Sequence, residues 1–147
     1  MSIRIGAILD NKGHRVHTLT PQTTVIEAIR KLKEHGVGAL VVSSSGTDIV
    51  GIVSERDIVR RIAEEGAGCL DKPVTEIMTS TVTTCAPTDT SDQVMSLMTE
   101  GRMRHVPVVD GDEMVGVVSI GDVVKAYTDE LEVTKEALQE YVTGSSY

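Results

Sequence analysis

The residues best suited to chemistry in this chain are two Ser/Asp pairs, Ser54 with Asp57 and Ser119 with Asp122. They sit in matching stretches, Gly51-Ile52-Val53-Ser54-Glu55-Arg56-Asp57 and Gly116-Val117-Val118-Ser119-Ile120-Gly121-Asp122. A β-branched pair running into Ser reads as a strand end, and Ser with an acid three residues on reads as a helix N-cap. Each copy is therefore predicted to be a strand turning straight into a helix. The N–H groups of such a helix start, with a hydroxyl and a carboxylate beside them, suit a polar ligand. The same residues can equally do no more than cap their own helix, at about 1 kcal/mol per cap.

The sequence around the two copies repeats as well. At an offset of 66, Pro21 matches Pro87, Thr24 matches Thr90, Leu32 matches Met98, Val37 matches Met103, and Val42 matches Val108. The offset falls to 65 between Gly51 and Gly116, which places one extra residue in the first copy's loop, Ser43 to Asp48. Loop tips tolerate such insertions. Two units of about 55 residues follow, each small for an independent core.

Within each unit the elements are legible. Thr24-x-x-Glu27 and Thr90-x-x-Gln93 are capping boxes ahead of apolar positions at helical spacing, Val25, Ala28 and Leu32 in one and Val94, Leu97 and Met98 in the other. Ala39 to Val42 and Ile49 to Val53 read as paired strands of the first unit, and His105 to Val109 and Met114 to Val118 as those of the second. Val82 to Cys85 reads as the second unit's first strand. The N-terminus, Ile3 to Leu9, reads as a short strand or arm reversing at Asp10-Asn11-Lys12-Gly13. Gly66 to Pro73 has the composition of a linker. After Ser119 the pattern stays helical past Val124, and Gly144-Ser145-Ser146 reads as a frayed tail.

The order strand, helix, strand, strand, helix, met twice, resembles a tandem pair of cystathionine-β-synthase (CBS) domains, the Bateman module, in its small stand-alone bacterial form. The resemblance rests on the two Gly-x-x-Ser-x-x-Asp copies, the Thr20-Pro21 and Ala86-Pro87 starts, and Arg104-His105-Val106-Pro107-Val108-Val109, and it covers residues 15 to 130. It implies an α+β fold of two β-α-β-β-α repeats packed about a pseudo-two-fold axis, with a C-terminal helical extension. The expected division is an arm at 1–14, repeats at 15–68 and 76–130, a linker at 69–75, and a helix and tail at 131–147.

The resemblance also implies adenosine nucleotides bound in clefts between the repeats, AMP first and ATP, ADP or NAD as other candidates. Carried over by position, one site would use Ser119 and Asp122 with Val117, Thr20, Val25, Val37, Gly38 and Ala39. The other would use Ser54 and Asp57 with Ile52, Ala86, Ser91, Met103, Arg104 and His105, and Arg56 facing phosphate. The sites differ in charge, because Gly38-Ala39 stands where the second repeat has Arg104-His105. A phosphate beside His105 is expected to raise that imidazole's pKa and to strengthen binding below about pH 6.5.

Composition narrows the alternatives. Fourteen basic against twenty-two acidic residues give a net charge of −8, which repels a nucleic-acid backbone. Three Tyr with no Phe or Trp leave no stacking platform. No apolar run reaches about 18 residues and no signal peptide is legible, so a cytoplasmic protein is expected. Cys69 and Cys85 read as reduced structural thiols, and no metal site is expected. HExxH, GxSxG and P-loop motifs are absent, which points away from an enzyme. The leading expectation is a regulatory module that reports energy or redox state to a partner; the alternatives are a ligand-free scaffold or an enzyme acting on a nucleotide. Apolar helix positions Ile58, Val59, Ile62, Val94, Leu97, Met98, Val123 and Val124 suggest a homodimer.

Overall fold

A computed structural model of the chain describes residues 2–144. The elements run α1 (Ile5–Lys12), β1 (Thr18–Leu19), α2 (Val25–His35), β2 (Ala39–Val42), β3 (Gly51–Ser54) and α3 (Glu55–Glu65). Two short 3-10 turns, Gly66–Asp71 and Val74–Glu76, lead to α4 (Ser91–Gly101), β4 (His105–Asp110), β5 (Glu113–Ser119) and α5 (Ile120–Gly144). The first sheet has the order β1-β2-β3, with β1 parallel to β2 and β2 antiparallel to β3. The second is the antiparallel pair β4-β5. Ser145 and Ser146 of the expected tail lie outside the described residues.

The capping boxes form as their spacing requires. Thr24 accepts from the Glu27 N–H while Glu27 accepts from the Thr24 N–H, and Thr90 and Gln93 do the same. The apolar stripe behind each cap then enters a core, Val25, Ala28 and Leu32 in the first repeat, and Val94 and Met98 in the second.

Three expectations are corrected. The N-terminal segment is a helix, not a strand or loose arm, and its Ile5 and Leu9 are fully buried in the core of the second repeat beside Val94, Met98, Val106 and Val118. Periodicity over so few residues does not separate a short helix from a strand. The linker is likewise packed: Cys69 is buried, and Val74, with Ile77 just beyond the linker, lies in the core of the first repeat with Leu19, Val25 and Val53. The stretch Val82 to Cys85 is no strand; only Cys85 pairs, in a single parallel bridge to Val108. Two Thr after Val82 make a β-rich composition, but no third strand extends the second sheet.

The two insertions obey one pattern. Val74 N–H donates to Thr23 O at 2.8 Å, and Ile5 N–H donates to Asp89 O, the matching position, at 2.9 Å. A Cβ on Gly51 would lie 2.5 Å from Met78 Sδ, and a Cβ on Gly116 would lie 2.8 Å from Leu9 Cδ2. The glycine that opens each motif copy is thus a close-approach position for the segment inserted from outside the repeat. Burying Ile5 and Leu9 stabilises by about 1.5–3 kcal/mol each. Leu9→Ala should therefore destabilise the whole protein by about 2–5 kcal/mol in denaturant unfolding; a change within about 0.5 kcal/mol would mean that α1 is an appendage.

Candidate functional site

In both motif copies the capping role is realised. Ser54 N–H and Oγ–H donate to Asp57 Oδ2 at 3.0 and 2.9 Å, and Asp57 N–H donates to Ser54 Oγ at 3.2 Å. Ser119 N–H donates to Asp122 Oδ2 at 2.8 Å, and Asp122 N–H donates to Ser119 Oγ at 3.1 Å. The helix starts are not open anion sites, since Glu55 N–H also bonds Gly38 O and Ile120 N–H bonds Arg104 O, both at 2.9 Å. Capping does not exhaust the carboxylate, however. Among the described residues nothing bonds Asp57 Oδ1, so one oxygen of a half-buried carboxylate remains to accept from a ligand hydroxyl.

Asp57 looks into a cleft of about 960 Å³ between the repeats, within the usual size of small-molecule sites. The first repeat contributes Gly38, Ala39, Ile52, Ser54, Arg56 and Asp57, and the second Met103, Arg104 and His105. Gly38 and Ala39, assigned from sequence to the opposite site, therefore share this cleft, because the two strand starts meet at the pseudo-two-fold axis. A Cβ at Gly38 would lie 3.1 Å from His105 Cε1. Other expected residues lie elsewhere. Val25 and Ser91 are fully buried, and the Ser91 hydroxyl accepts from Ile3 N–H at 2.9 Å. Val37 packs on the first repeat's core. Thr20 bonds Thr23, and Ala86 N–H donates to Asp89. Val117, Ser119 and Asp122 stand together, joined by Lys12, whose Nζ is 2.6 Å from Asp122 Oδ2 and 2.7 Å from Val117 O.

Sequence reasoning missed part of the cleft. Thr79, Thr81 and Thr83 line it; Thr83 lies in the stretch expected to be a strand, and Thr79 and Thr81 lie just before it, in residues given no role from sequence. Thr79 is held by backbone bonds with Ile52, 2.9 Å in one direction and 3.0 Å in the other. Arg60 and Arg102 line it as well. Arg60 follows Arg56 by one helical turn, a spacing visible in the sequence. Arg102 caps α4 with φ 52°, at the position where Gly36 caps α2 with φ 64°. An L-residue in this region costs roughly 1–2 kcal/mol, so an arginine is held at the cleft edge where a glycine would relax the backbone.

The electrostatics follow from this geometry. Arg56, Arg60, Arg102 and Arg104 converge on the cleft, and among the described residues none is in an ion pair. Burial pushes the His105 imidazole below its ordinary pKa; Lys12 and Arg104 push the same way, and Asp122 and Glu55 oppose them. His105 is thus neutral near pH 7 before any ligand arrives. Burial would raise Asp122, but the Lys12 ammonium and the Ser119 donors outweigh it and hold the carboxyl below the usual range. Among the described residues no three His, Cys, Asp or Glu side chains group as metal ligands, and no helix is long and apolar enough to cross a membrane.

The fold has counterparts among known proteins. The family model for the CBS domain matches twice, at residues 11–64 and 74–129. The crystal structure of the CBS-domain containing protein ATU1752 from Agrobacterium tumefaciens is 42% identical, with a TM-score of 0.83 over 85% of this chain and 99% of that one. CBS domain protein PAE2072 from Pyrobaculum aerophilum, solved in complex with AMP, is 32% identical with a TM-score of 0.73, covering 82% of this chain and 89% of that one. The mitochondrial CBS domain-containing protein CBSX3 of Arabidopsis thaliana is 38% identical over 129 residues, which are 85% of this chain but only 63% of that protein. Twice-matched motif, exchanged core segments and a cleft between the repeats agree, and the chain belongs to the CBS-domain family as a tandem pair.

Proposed function

We propose that the protein is a regulatory binding module that takes an adenine nucleotide in the Asp57 cleft and signals its occupancy to a partner protein. One observation carries the reading: four arginines, none in an ion pair among the described residues, line one cleft against two carboxylates, Asp57 and Glu55, in a chain of net charge −8. Against that background an anion is held only where local cations outweigh the field. Arg56, Arg60, Arg102 and Arg104 take phosphate, Asp57 Oδ1 accepts from the ribose diol, and the Thr79 to Thr83 hydroxyls and Ile52 side chain border the base. The AMP complex of the Pyrobaculum aerophilum relative supports an adenosine ligand, with AMP the first to try.

The protein acts as a homodimer in this reading. Of the helix positions expected to drive it, Ile58, Val94, Met98 and Val123 are buried within their own repeats, whereas Val59 is 65% and Val124 52% exposed. These two match at the offset of 65, and Ile62 and Ile120 extend the same apolar surface. A two-fold pairing covers both helices at once. Sedimentation should give a dimer at micromolar concentration; a monomer there removes the claim.

AMP in hundredfold excess over its Kd should stabilise the protein by about 2.7 kcal/mol in thermal unfolding, with no product formed from AMP, ATP or NAD. Asp57→Ala should weaken AMP binding by about 1.5–3 kcal/mol in calorimetry. Replacing Arg104 with Gly and His105 with Ala should weaken AMP far more than adenosine. Equal losses for both ligands would mean that these side chains shape the cleft without holding phosphate, and turnover would make the protein an enzyme.

The lowered pKa of His105 also sets a pH dependence of stability. The unfolded chain binds this proton near pH 6.5 and the folded chain only at lower pH, so stability is fully present above that value and is lost as pH falls towards the folded pKa. His17, lowered mainly by burial and by the His35 ring stacked on it at 3.6 Å, has the same sign. His14, raised by its bond to Asp10, has the opposite sign, so the clean expectation is a difference: between pH 7 and 5.5 the melting temperature of His105→Gln should fall less than that of wild type. An unchanged slope in the variant would show that His105 is not the group responsible.

A further inference from the structure

We infer that Lys12 closes the Asp122 half of the pair, so that each chain holds one nucleotide, at Asp57, and not two. The inference rests on the nucleotide reading of the Asp57 cleft. The two halves start from equivalent positions, since Leu9 approaches Gly116 as Met78 approaches Gly51. Three residues further on stand Lys12 and Thr81. After Met78 the chain leaves its helical turn and pairs through Thr79 with Ile52, and the short Thr81 lines an open cleft. After Leu9 the chain stays helical to Lys12, and no backbone partner reaches Val117 on that side. The Lys12 ammonium takes that carbonyl instead, at 2.7 Å, and at the same time the Asp122 carboxylate at 2.6 Å.

A ribose diol entering here meets a carboxylate whose Oδ2 is bound by a cation and by Ser119 N–H; among the described residues Oδ1 is without a bond, as at Asp57, so the two halves differ in the ammonium that neutralises Asp122 and not in a free oxygen. Charge-assisted hydrogen bonds are roughly twice as strong as neutral ones, so a neutral diol displaces the ammonium at a loss. Apart from Lys12, already paired with Asp122, the matched positions offer phosphate no cation, because Gly38-Ala39 carries none and the His105 ring lies against Gly38. Lys12 is also not carried on a loose arm: Ile5, Ile8 and Leu9 of the same helix are buried, which fixes its local concentration at the site. At Asp57 no ammonium occupies the equivalent place, and Oδ2 is bonded by Ser54 alone.

Calorimetry with AMP and adenosine on the full chain tests this with wild type, Asp57→Ala, Lys12→Met and the double variant. Wild type should bind one equivalent of AMP, and Asp57→Ala should lose it. Lys12→Met, neutral and of similar length, should bind a second equivalent, with adenosine held at Asp122 at least tenfold more tightly than in wild type. The double variant should keep that one equivalent. Lys12→Ala provides the same reading should Met disturb packing, and circular dichroism confirms the fold of each. Two equivalents bound by wild type would overturn the inference, as would Lys12 variants that bind no more than their Lys12 parents. Should wild type bind neither ligand, the reading of the Asp57 cleft falls by itself; one equivalent of adenosine gained on Lys12→Met would still uphold the closure, and none gained would overturn it.

Discussion

Ile5 and Leu9 lie in the core of the second repeat and Val74 and Ile77 in the core of the first, so each core is completed by the segment that precedes the other repeat. A unit of this size buries little surface and is marginal by itself. The exchange supplies the missing apolar area and ties the repeats together at the same time. It also explains the glycine at the start of each motif copy, because any Cβ at Gly51 or Gly116 would collide with the inserted Met78 or Leu9.

Once the segments are exchanged, their next few residues emerge at the Asp57 cleft and at Asp122, and there the symmetry ends. Non-helical backbone after Met78 places three threonines along the Asp57 cleft, whereas one more helical turn after Leu9 brings a lysine to Asp122. The charge distribution follows the same division. Arg102 and Arg104 of the second repeat reach across to Arg56 and Arg60 of the first, and the matching Gly36 and Gly38 offer nothing in return. A duplicated fold thus carries one electropositive cleft and one internally neutralised carboxylate.

Capping and ligand binding, weighed as rivals in the sequence, prove compatible at Asp57 in geometric terms. Its Oδ2 satisfies the helix start and its Oδ1 stays available, since a carboxylate has more acceptor sites than a cap requires. The left-handed Arg102 belongs to the same region, a strained residue at the edge of the candidate site.

Capping boxes, strand pairs and the Ser/Asp helix caps were legible in the sequence because each is set by local chemistry: a hydroxyl three residues before an acid or amide, a β-branched run, a glycine after a helix. The asymmetry of Arg104-His105 against Gly38-Ala39 was legible for the same reason, by alignment of the chain with itself. The helix at Ile5–Lys12, the burial of the apparent linker and the threonine lining of the cleft were not, because short segments take their conformation from what they pack on. Lys12 on Asp122, 110 positions apart, and the lowered pKa of His105 depend on neighbours that only the folded chain brings together. No pattern within one repeat encodes them, since each arises where a segment from outside that repeat completes it.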